Sequence, residues 1–460
     1  MTERGRREMT NTLLIANRSE IASRIIATAK RMGIRTVAVY SDADAALPYV
    51  EEANVARRIG ESPPAKSYLN QDALMQIAKE EQCTMLHPGY GFLSENQKFC
   101  EKVLGEGIIW VGPQPKTIGQ MGEKVQARNI MNRAGVPVVP GSEGQIATEE
   151  EAISLAEGIG YPVMLKASGG GGGVGMVVCH SEQDLVRTFA STKKRAEQYF
   201  QNPEVFLEKW IEGARHIEVQ IAASRSGEVV HLYERECSIQ RRHQKVLEEA
   251  PALHLSQTTK EKLYEASIQA AKAVNYENVG TIEWIVDQDE NFYFLEMNTR
   301  LQVEHGVTEQ IIGIDLVEWQ LRIAAGESLP LHQHEIKPSG HSIEWRLYAE
   351  DPKTMFPSPG KLSRWELSIA KGIRLDIGYR EDNTVTPFYD PLLAKIIAYG
   401  DNKEEAVRLL HEWSNETTIE GVKTNLPLLQ EVLVDQQFIK ETYTTNYLTE
   451  LQKQKGEQSI

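Results

Sequence analysis

The chain has 460 residues, of which 41% are hydrophobic and 25% charged, with a formal net charge of -15. That length allows two or three domains with sizeable cores, and the acidic balance excludes a general nucleic-acid or anionic-membrane binder while leaving room for a local basic pocket. The cysteines, Cys83, Cys100, Cys179 and Cys237, form no CxxC pair and no disulfide framework, which fits a reducing, cytoplasmic setting. No apolar run approaches the length of a membrane span.

The opening "MTERGRREMT" is basic but lacks the apolar core of a secretory signal, and residues 1–10 read as a disordered tail. "TLLIA" (12–16) reads as a buried strand. Asn17 is expected to cap the next helix, with Glu20 completing a capping box. Ile21, Ile25, Ala29 and Met32 then recur at helical spacing until Gly33 ends the helix. "IRTVAVYS" (34–41) follows as a strand, so the start is a βαβ unit of Rossmann-like type. It carries no GxGxxG and is not read as a dinucleotide site. "TMLHPGYGFLSEN" (84–96) and "GIIWVGP" (107–113) are further strands with functional-looking loops, and a break near 113–124 closes the first domain.

From about 124 to 330 the pattern mixes helices with antiparallel strands. "VFLEKWI", "RHIEVQIAAS" and "EVVHLYEREC" read as strands, the last two joined by a turn at Ser226–Gly227. The linker "IAAGESLPLHQHEIKPSG" leads to a third region from about 340, which ends with a helix opened by Asn402 and Glu405.

Three segments carry chemistry. In "KASGGGGGVGM" (166–176) five consecutive glycines sit between apolar, strand-like flanks. Each glycine costs about 0.5–1 kcal/mol inside a regular element. A linker would have polar flanks, so the run reads as a hairpin loop that brings bare N–H groups against phosphate, with Lys166 as charge partner. In "GTIEWIVDQDENFYFLEMNTRLQVEHG" (280–306) two strands flank a turn near Asp289, which places Glu283 close to opposite Glu296. Facing carboxylates destabilise a ladder, and a divalent cation held by both reverses the sign. Period-two alternation continues the second strand, with Glu296, Asn298, Arg300, Gln302 and Glu304 on one polar face. This segment alone indicates a metal and an anion and names no reaction; a solvated edge strand is the competing reading. In "ECSIQRRHQKVLEEAP" (236–251), Arg241, Arg242, His243 and Lys245 concentrate positive charge, either as a surface run or to gather phosphate or bicarbonate.

Taken together, "ANRSEIASRI", "HPGYGFLSEN", "KASGGGGGVGM", "QRRHQK", "EMNTRLQVEH" and "AEDP…FPSPGK" resemble the biotin carboxylase component of biotin-dependent carboxylases, from about residue 10 to about 450. The resemblance implies an α/β (α+β) ATP-grasp fold. It would have a Rossmann-like N-terminal domain (11–123), a central ATP-grasp domain (124–330) with a mobile lid at about 138–210, and a C-terminal domain (340–450). It implies ATP-dependent carboxylation of biotin by bicarbonate. Lys124 and Lys166 would contact phosphates, Gly172 and Gly173 lend amides, Glu208, Lys209 and Ile211 lie along adenine, and His216, Gln240 and His243 line the nucleotide pocket. Glu283, Glu296 and Asn298 would hold Mg²⁺ or Mn²⁺, as two ions. Lys245, Arg300 and the Val303 backbone would bind bicarbonate, Glu304 would deprotonate it, and Arg346 would face biotin.

The chain has no MKM biotinylation motif, so biotin is expected on a separate carrier protein, with separate carboxyltransferase subunits and a homodimeric enzyme. Acetyl-CoA, for fatty acid synthesis, is the expected acceptor of the whole complex; propionyl-CoA and methylcrotonyl-CoA are the alternatives. The chain departs from the family pattern at Val174, where Arg or Lys is usual, at Val177, where Arg is often found, at Ser19 (Gly) and at Gly306 (Pro). Val174 motivates a competing reading as a catalytically impaired regulatory subunit. A third reading, an ATP-grasp ligase joining a carboxylate to an amine, is disfavoured by Arg300, Glu304 and Arg346.

Overall fold

The computed structural model describes residues 11–142, 144–167, 176–200, 203–242 and 244–458. The expected tail over 1–10, the glycines Gly172 and Gly173, Val174 and His243 lie outside the described residues.

The N-terminal part is a parallel sheet of β1 (Thr12–Ile15), β2 (Arg35–Ser41), β3 (Val55–Gly60), β4 (Met85–His87) and β5 (Ile109–Trp110), in the order β3-β2-β1-β4-β5. β1 is buried along its whole length, as a strand covered on both faces must be. Helix α1 (Ser19–Arg31) follows β1, but the expected capping box is not formed. Arg18 is the N-cap residue and gives no side-chain cap. Asn17 instead sends Nδ2 to the carbonyls of Pro88 (2.7 Å) and Tyr90 (2.8 Å), tying the "HPGYG" loop to the start of the helix.

A smaller antiparallel sheet, β7-β6-β8, is built from β6 (Val163–Ala167), β7 (Met176–Cys179) and β8 (Val205–Lys209). It has its own core, with Ile146, Ala152, Leu165 and Leu207 among its buried members. Val177 lies on β7 opposite Leu165.

The centre of the molecule is an 8-stranded sheet that joins the middle and C-terminal thirds. Its members include β9 (Arg215–Ala223), β10 (Val229–Arg241), β11 (Gln244–Ala250), β12 (Asn278–Val286), β13 (Phe292–Asn298) and β14 (His341–Tyr348). After the short strands β15 (Gly360–Lys361) and β16 (Arg364–Glu366) come β17 (Ile373–Ile377), β18 (Thr384–Val385), β19 (Leu392–Gly400) and β20 (Thr418–Glu420). The order of the large sheet is β13-β12-β9-β10-β11-β14-β19-β17. β10 runs four residues past the expected "EVVHLYEREC", so Ser238 to Arg241 are in the ladder. The β11–β14 register, with Leu247 opposite Trp345 and Glu248 opposite Glu344, carries Arg346 to the central strands from almost a hundred residues away.

Candidate active site

The β12–β13 hairpin pairs Glu283 with Glu296, as the alternation requires, with a bulge between Glu283 and Trp284. Burial and then the Glu283 charge raise the Glu296 carboxyl above its ordinary range. Glu283 moves the other way: burial alone would raise it, but Lys245 and His216 outweigh burial and hold it well below the carboxylate range. Among the described residues no ion pair reaches Glu296, whereas Glu283 accepts from Lys245 (2.9 Å), Asn298 (2.9 Å) and Gln302 (2.7 Å). Glu283, Glu296 and Asn298 offer carboxylate and amide oxygens, the kind of donor set Mg²⁺ takes. Here Asn298 turns Nδ2 to Glu283 and Oδ1 to Arg300, so its amide must reorient and Lys245 must give way before all three side chains can face one hard divalent cation.

Strand β13 stops at Asn298, so the expected alternation through Glu304 is not a strand. Residues 299–304 turn instead, and Glu304 is the N-cap of the helix His305–Ile312. The turn still delivers the same side chains inward. Gln302 meets Glu283, and Glu304 meets Lys245 Nζ (2.6 Å) and Arg346 Nη2 (3.0 Å). Burial opposes the charge on Glu304, but Lys245, Arg346 and Arg235 overcome it, and the carboxylate is held ionised, well below its ordinary range. Lys245 also touches Glu218 (2.5 Å), so one ammonium bridges three carboxylates. Burial would lower its pKa, and Glu218, Glu283 and Glu304 together raise it well above the usual lysine value.

Arg300 is turned toward Glu95 (2.8 Å) and Asn298 Oδ1 (2.7 Å). With Val303 and Arg346 it lines a cavity of about 500 Å³, whose far wall includes Tyr389 and Phe388 from the C-terminal part. The Val303 carbonyl accepts from the buried Lys395 (2.8 Å).

Lys124, Lys166, Glu208 and Glu296 line a second cleft. Lys124 begins the helix Lys124–Arg133 and is exposed. Lys166 is ion-paired to Glu208 across adjoining strands. Lys209 donates to the carbonyls of Gly160 (2.8 Å) and Tyr161 (3.1 Å), and Ile211 follows β8 half-buried. His216 accepts at Nδ1 from Gln240 (2.7 Å), and its Nε2 lies 2.8 Å from Glu283, so the imidazole joins Gln240 to the carboxylates.

The basic cluster divides: Lys245 enters the site, Arg241 is ion-paired with Glu350, and Arg242 stacks over Phe356 (5.7 Å). Sequence reasoning assigned no role to Glu218, Arg235, Cys237 or Glu95. Glu218 and Arg235 face each other across β9 and β10, and only the strand register reveals it. Cys237 lies with Glu218 and Glu304 within 4.8 Å. Burial and then Glu218 push its thiol well above its ordinary pKa, so it stays protonated.

Residues 9–118 match the biotin carboxylase N-terminal domain, 123–332 the ATP binding domain of the carbamoyl-phosphate synthase L chain, and 344–450 the biotin carboxylase C-terminal domain. The chain is 52% identical over 441 residues to a biotin carboxylase of Halalkalibacterium halodurans, covering 96% of this chain and 98% of the relative. The chain belongs to the biotin carboxylase family of ATP-dependent ligases. Biotin carboxylase 2 of Bacillus subtilis is 51% identical, over 96% of this chain and 99% of its own. Among solved structures, the biotin carboxylase domain dimer of Hydrogenobacter thermophilus 2-oxoglutarate carboxylase, in complex with MgADP, ADP and bicarbonate, matches with a TM-score of 0.92 and 44% identity, covering 96% of this chain and 98% of that one. Membership accounts for the ATP-grasp architecture, with its small three-stranded sheet beside the separate 8-stranded one.

Proposed function

We propose that this biotin carboxylase family member uses ATP, Mg²⁺ and bicarbonate to carboxylate biotin presented by a separate carrier protein. The carrying observation is the meeting of Glu304 with Lys245 and Arg346 beside a cavity walled by Arg300 and Val303. An anion there is held by cations and lies next to an ionised carboxylate that can take its proton. Glu304 removes the bicarbonate proton as a bicarbonate oxygen bonds to the γ-phosphorus and ADP departs. An anion lodged by Lys245 and Arg300 would also loosen the grip of Lys245 on Glu304 and so raise the proton affinity of the base. The carboxyphosphate formed breaks to CO₂ and phosphate. The phosphate takes the N1′ proton of biotin, N1′ bonds to CO₂, and Arg346 steadies the negative oxygen of the ureido group.

Glu283, Glu296 and Asn298 would hold the ions, Mg²⁺ or Mn²⁺, which screen phosphate charge when bound. Lys124 and Lys166 would meet the phosphates, with the amides of Gly172 and Gly173. Lys166 must leave Glu208 to do so. Glu208, Lys209, Ile211, His216, Gln240 and His243 would form the nucleotide pocket, and the segment 138–210 would close over it and keep carboxyphosphate dry. We assign the spans 11–123, 124–330 and 340–450 as the working domains, and a homodimer as the assembly. The acceptor of the carboxyl group belongs to partner carboxyltransferase subunits, with acetyl-CoA as the first candidate.

Steady-state ADP release with and without bicarbonate and free biotin tests the reading. Turnover that needs bicarbonate and rises with biotin is expected. ATP hydrolysis indifferent to both would overturn it, and an inactive wild type rescued by Val174→Arg would support the impaired-subunit reading instead.

A further inference from the structure

Arg235 has no solvent exposure, and every face of its guanidinium is engaged. Nε donates to Glu218 Oε1. Nη1 donates to Gln220 Oε1 (2.7 Å) and Thr308 Oγ1 (2.8 Å), and Nη2 to Thr281 Oγ1 (3.2 Å) and Gln302 Oε1 (2.8 Å). Two of these acceptors continue into the site. Glu218 Oε2 holds Lys245 (2.5 Å), and Gln302 Nε2 donates to Glu283 (2.7 Å).

We infer that Arg235 is a positioning residue for the bicarbonate side of the reaction, acting through Gln302 and Glu218. The inference rests on the proposed biotin carboxylase reading. An arginine offers donors only and can never accept. Facing Arg235, the Gln302 amide must therefore present its oxygen, which forces its nitrogen toward Glu283. Without that constraint the amide is free to turn its oxygen toward a carboxylate, where it repels. The same guanidinium fixes one oxygen of Glu218, leaving the other aimed at Lys245 and so setting where that ammonium stands between Glu218, Glu283 and Glu304. Lysine cannot substitute: an ammonium has three donors on a point charge and lacks the planar fork that reaches five acceptors. The Glu218 route ends on Lys245, assigned to bicarbonate, while Lys124, Lys166 and Glu208 have no hydrogen bond to Arg235, so the larger effect is expected on bicarbonate; the Gln302 route reaches Glu283, proposed to hold the ion, and carries a smaller effect to ATP.

Arg235→Lys is the test, read in kinetics with bicarbonate and ATP varied separately beside the wild type. The expected result is a rise in KM for bicarbonate of about tenfold or more with KM for ATP within about twofold. Combining Arg235→Lys with Gln302→Leu should cost much less than the product of the single effects, because both act on one contact. Equal rises in both KM values, an unchanged KM for bicarbonate, or fully multiplicative effects would overturn the inference. Should Arg235→Lys fail to fold, Thr308→Val removes one anchor of the guanidinium without touching Gln302 or Glu218. A selective rise of about threefold in KM for bicarbonate is then expected, and no selective change overturns the inference. A wild type that fails to carboxylate biotin would sink the functional reading itself. An active wild type with unselective variants sinks only the role of Arg235.

Discussion

Ser19 stands where the family pattern has glycine, and its backbone is at φ 58, the left-handed region. A side chain there costs about 1–2 kcal/mol. The hydroxyl brings little return, since among the described residues Ser19 Oγ is buried without a hydrogen-bond partner. Glycine relieves the strain but adds freedom to the unfolded chain worth about 0.4–1 kcal/mol. Ser19→Gly is therefore expected to stabilise the protein by up to about 1 kcal/mol, read from urea unfolding; a clear loss of stability would show that the serine is more than tolerated. Glu304 is the other decisive residue. It is 2% exposed and lies within hydrogen-bond distance of two cations. Glu304→Gln keeps the size and removes the base, so bicarbonate-dependent turnover should fall about 10²–10⁴-fold while ATP binding by titration calorimetry persists. Activity within a few-fold of wild type would remove Glu304 from the role of base.

At the scale of elements, the helix His305–Ile312 is seated by a single missing side chain. A Cβ at Gly306 would lie 2.3 Å from Ile397 Cδ1 and 3.1 Å from Glu344 Oε2. Ile397, on β19, is fully buried with Val307 and Ile311, so this chain fills with isoleucine the space that a residue larger than glycine would take. Gly306→Ala is expected to cost about 1–3 kcal/mol by overpacking. Ile397→Val alone should cost about 0.5–1.5 kcal/mol, yet in the Gly306→Ala background it should restore stability. Thermal unfolding of the four proteins gives the coupling, and additive losses would mean that Ile397 is not the compensating residue. The same helix presents Glu304 at its start, so its seating also sets the position of the proposed base.

Across the whole molecule, distant segments are locked by buried polar pairs. Arg18 is bidentate to Asp44 (2.6 Å and 2.6 Å), reaches Tyr379 (3.1 Å) and lies over the Tyr389 ring (4.2 Å), joining the N-terminal sheet to the C-terminal wall of the cavity. His87, at the end of β4, accepts from Gly89 N (3.0 Å) and meets Gln320 (3.1 Å) in the helix Leu316–Ala324. Burial first, and Arg24 further, push His87 down to about 4. Its folded pKa is thus below the unfolded value, so the unfolded state gains protons first as pH falls and stability is lost below about pH 6.5. Between pH 7 and pH 5 this amounts to about 2 kcal/mol. The stability of wild type should therefore drop relative to His87→Gln by that amount over this range, measured by urea unfolding at each pH. Parallel pH curves would show that His87 is not held neutral. No helix among the described residues is long and apolar enough to cross a membrane.

Local pattern was enough for much of this protein. The buried run of β1, the helical spacing of Ile21, Ile25 and Ala29, and the facing of Glu283 and Glu296 follow from periods of 3.6 and 2 that a single segment carries. The family resemblance marked Lys245, Arg300, Glu304 and Arg346 as belonging together, but no local rule says that they meet. Tertiary structure decided the rest. Asn17 serves the "HPGYG" loop rather than its own helix: Nδ2 donates to two carbonyls 71 and 73 residues away, and that orientation leaves Oδ1 on the N–H of Arg18 rather than on the first turn of the helix. Strand alternation fails after Asn298 because the chain must turn inward to start a helix at His305, and the turn brings Gln302 and Glu304 to the site by a different path. Arg235 was invisible for the same reason. Its meaning lies in acceptors from β9, β12, the 299–304 turn and a following helix, and a buried guanidinium takes its role from the groups that surround it, which only the packed sheet brings within reach.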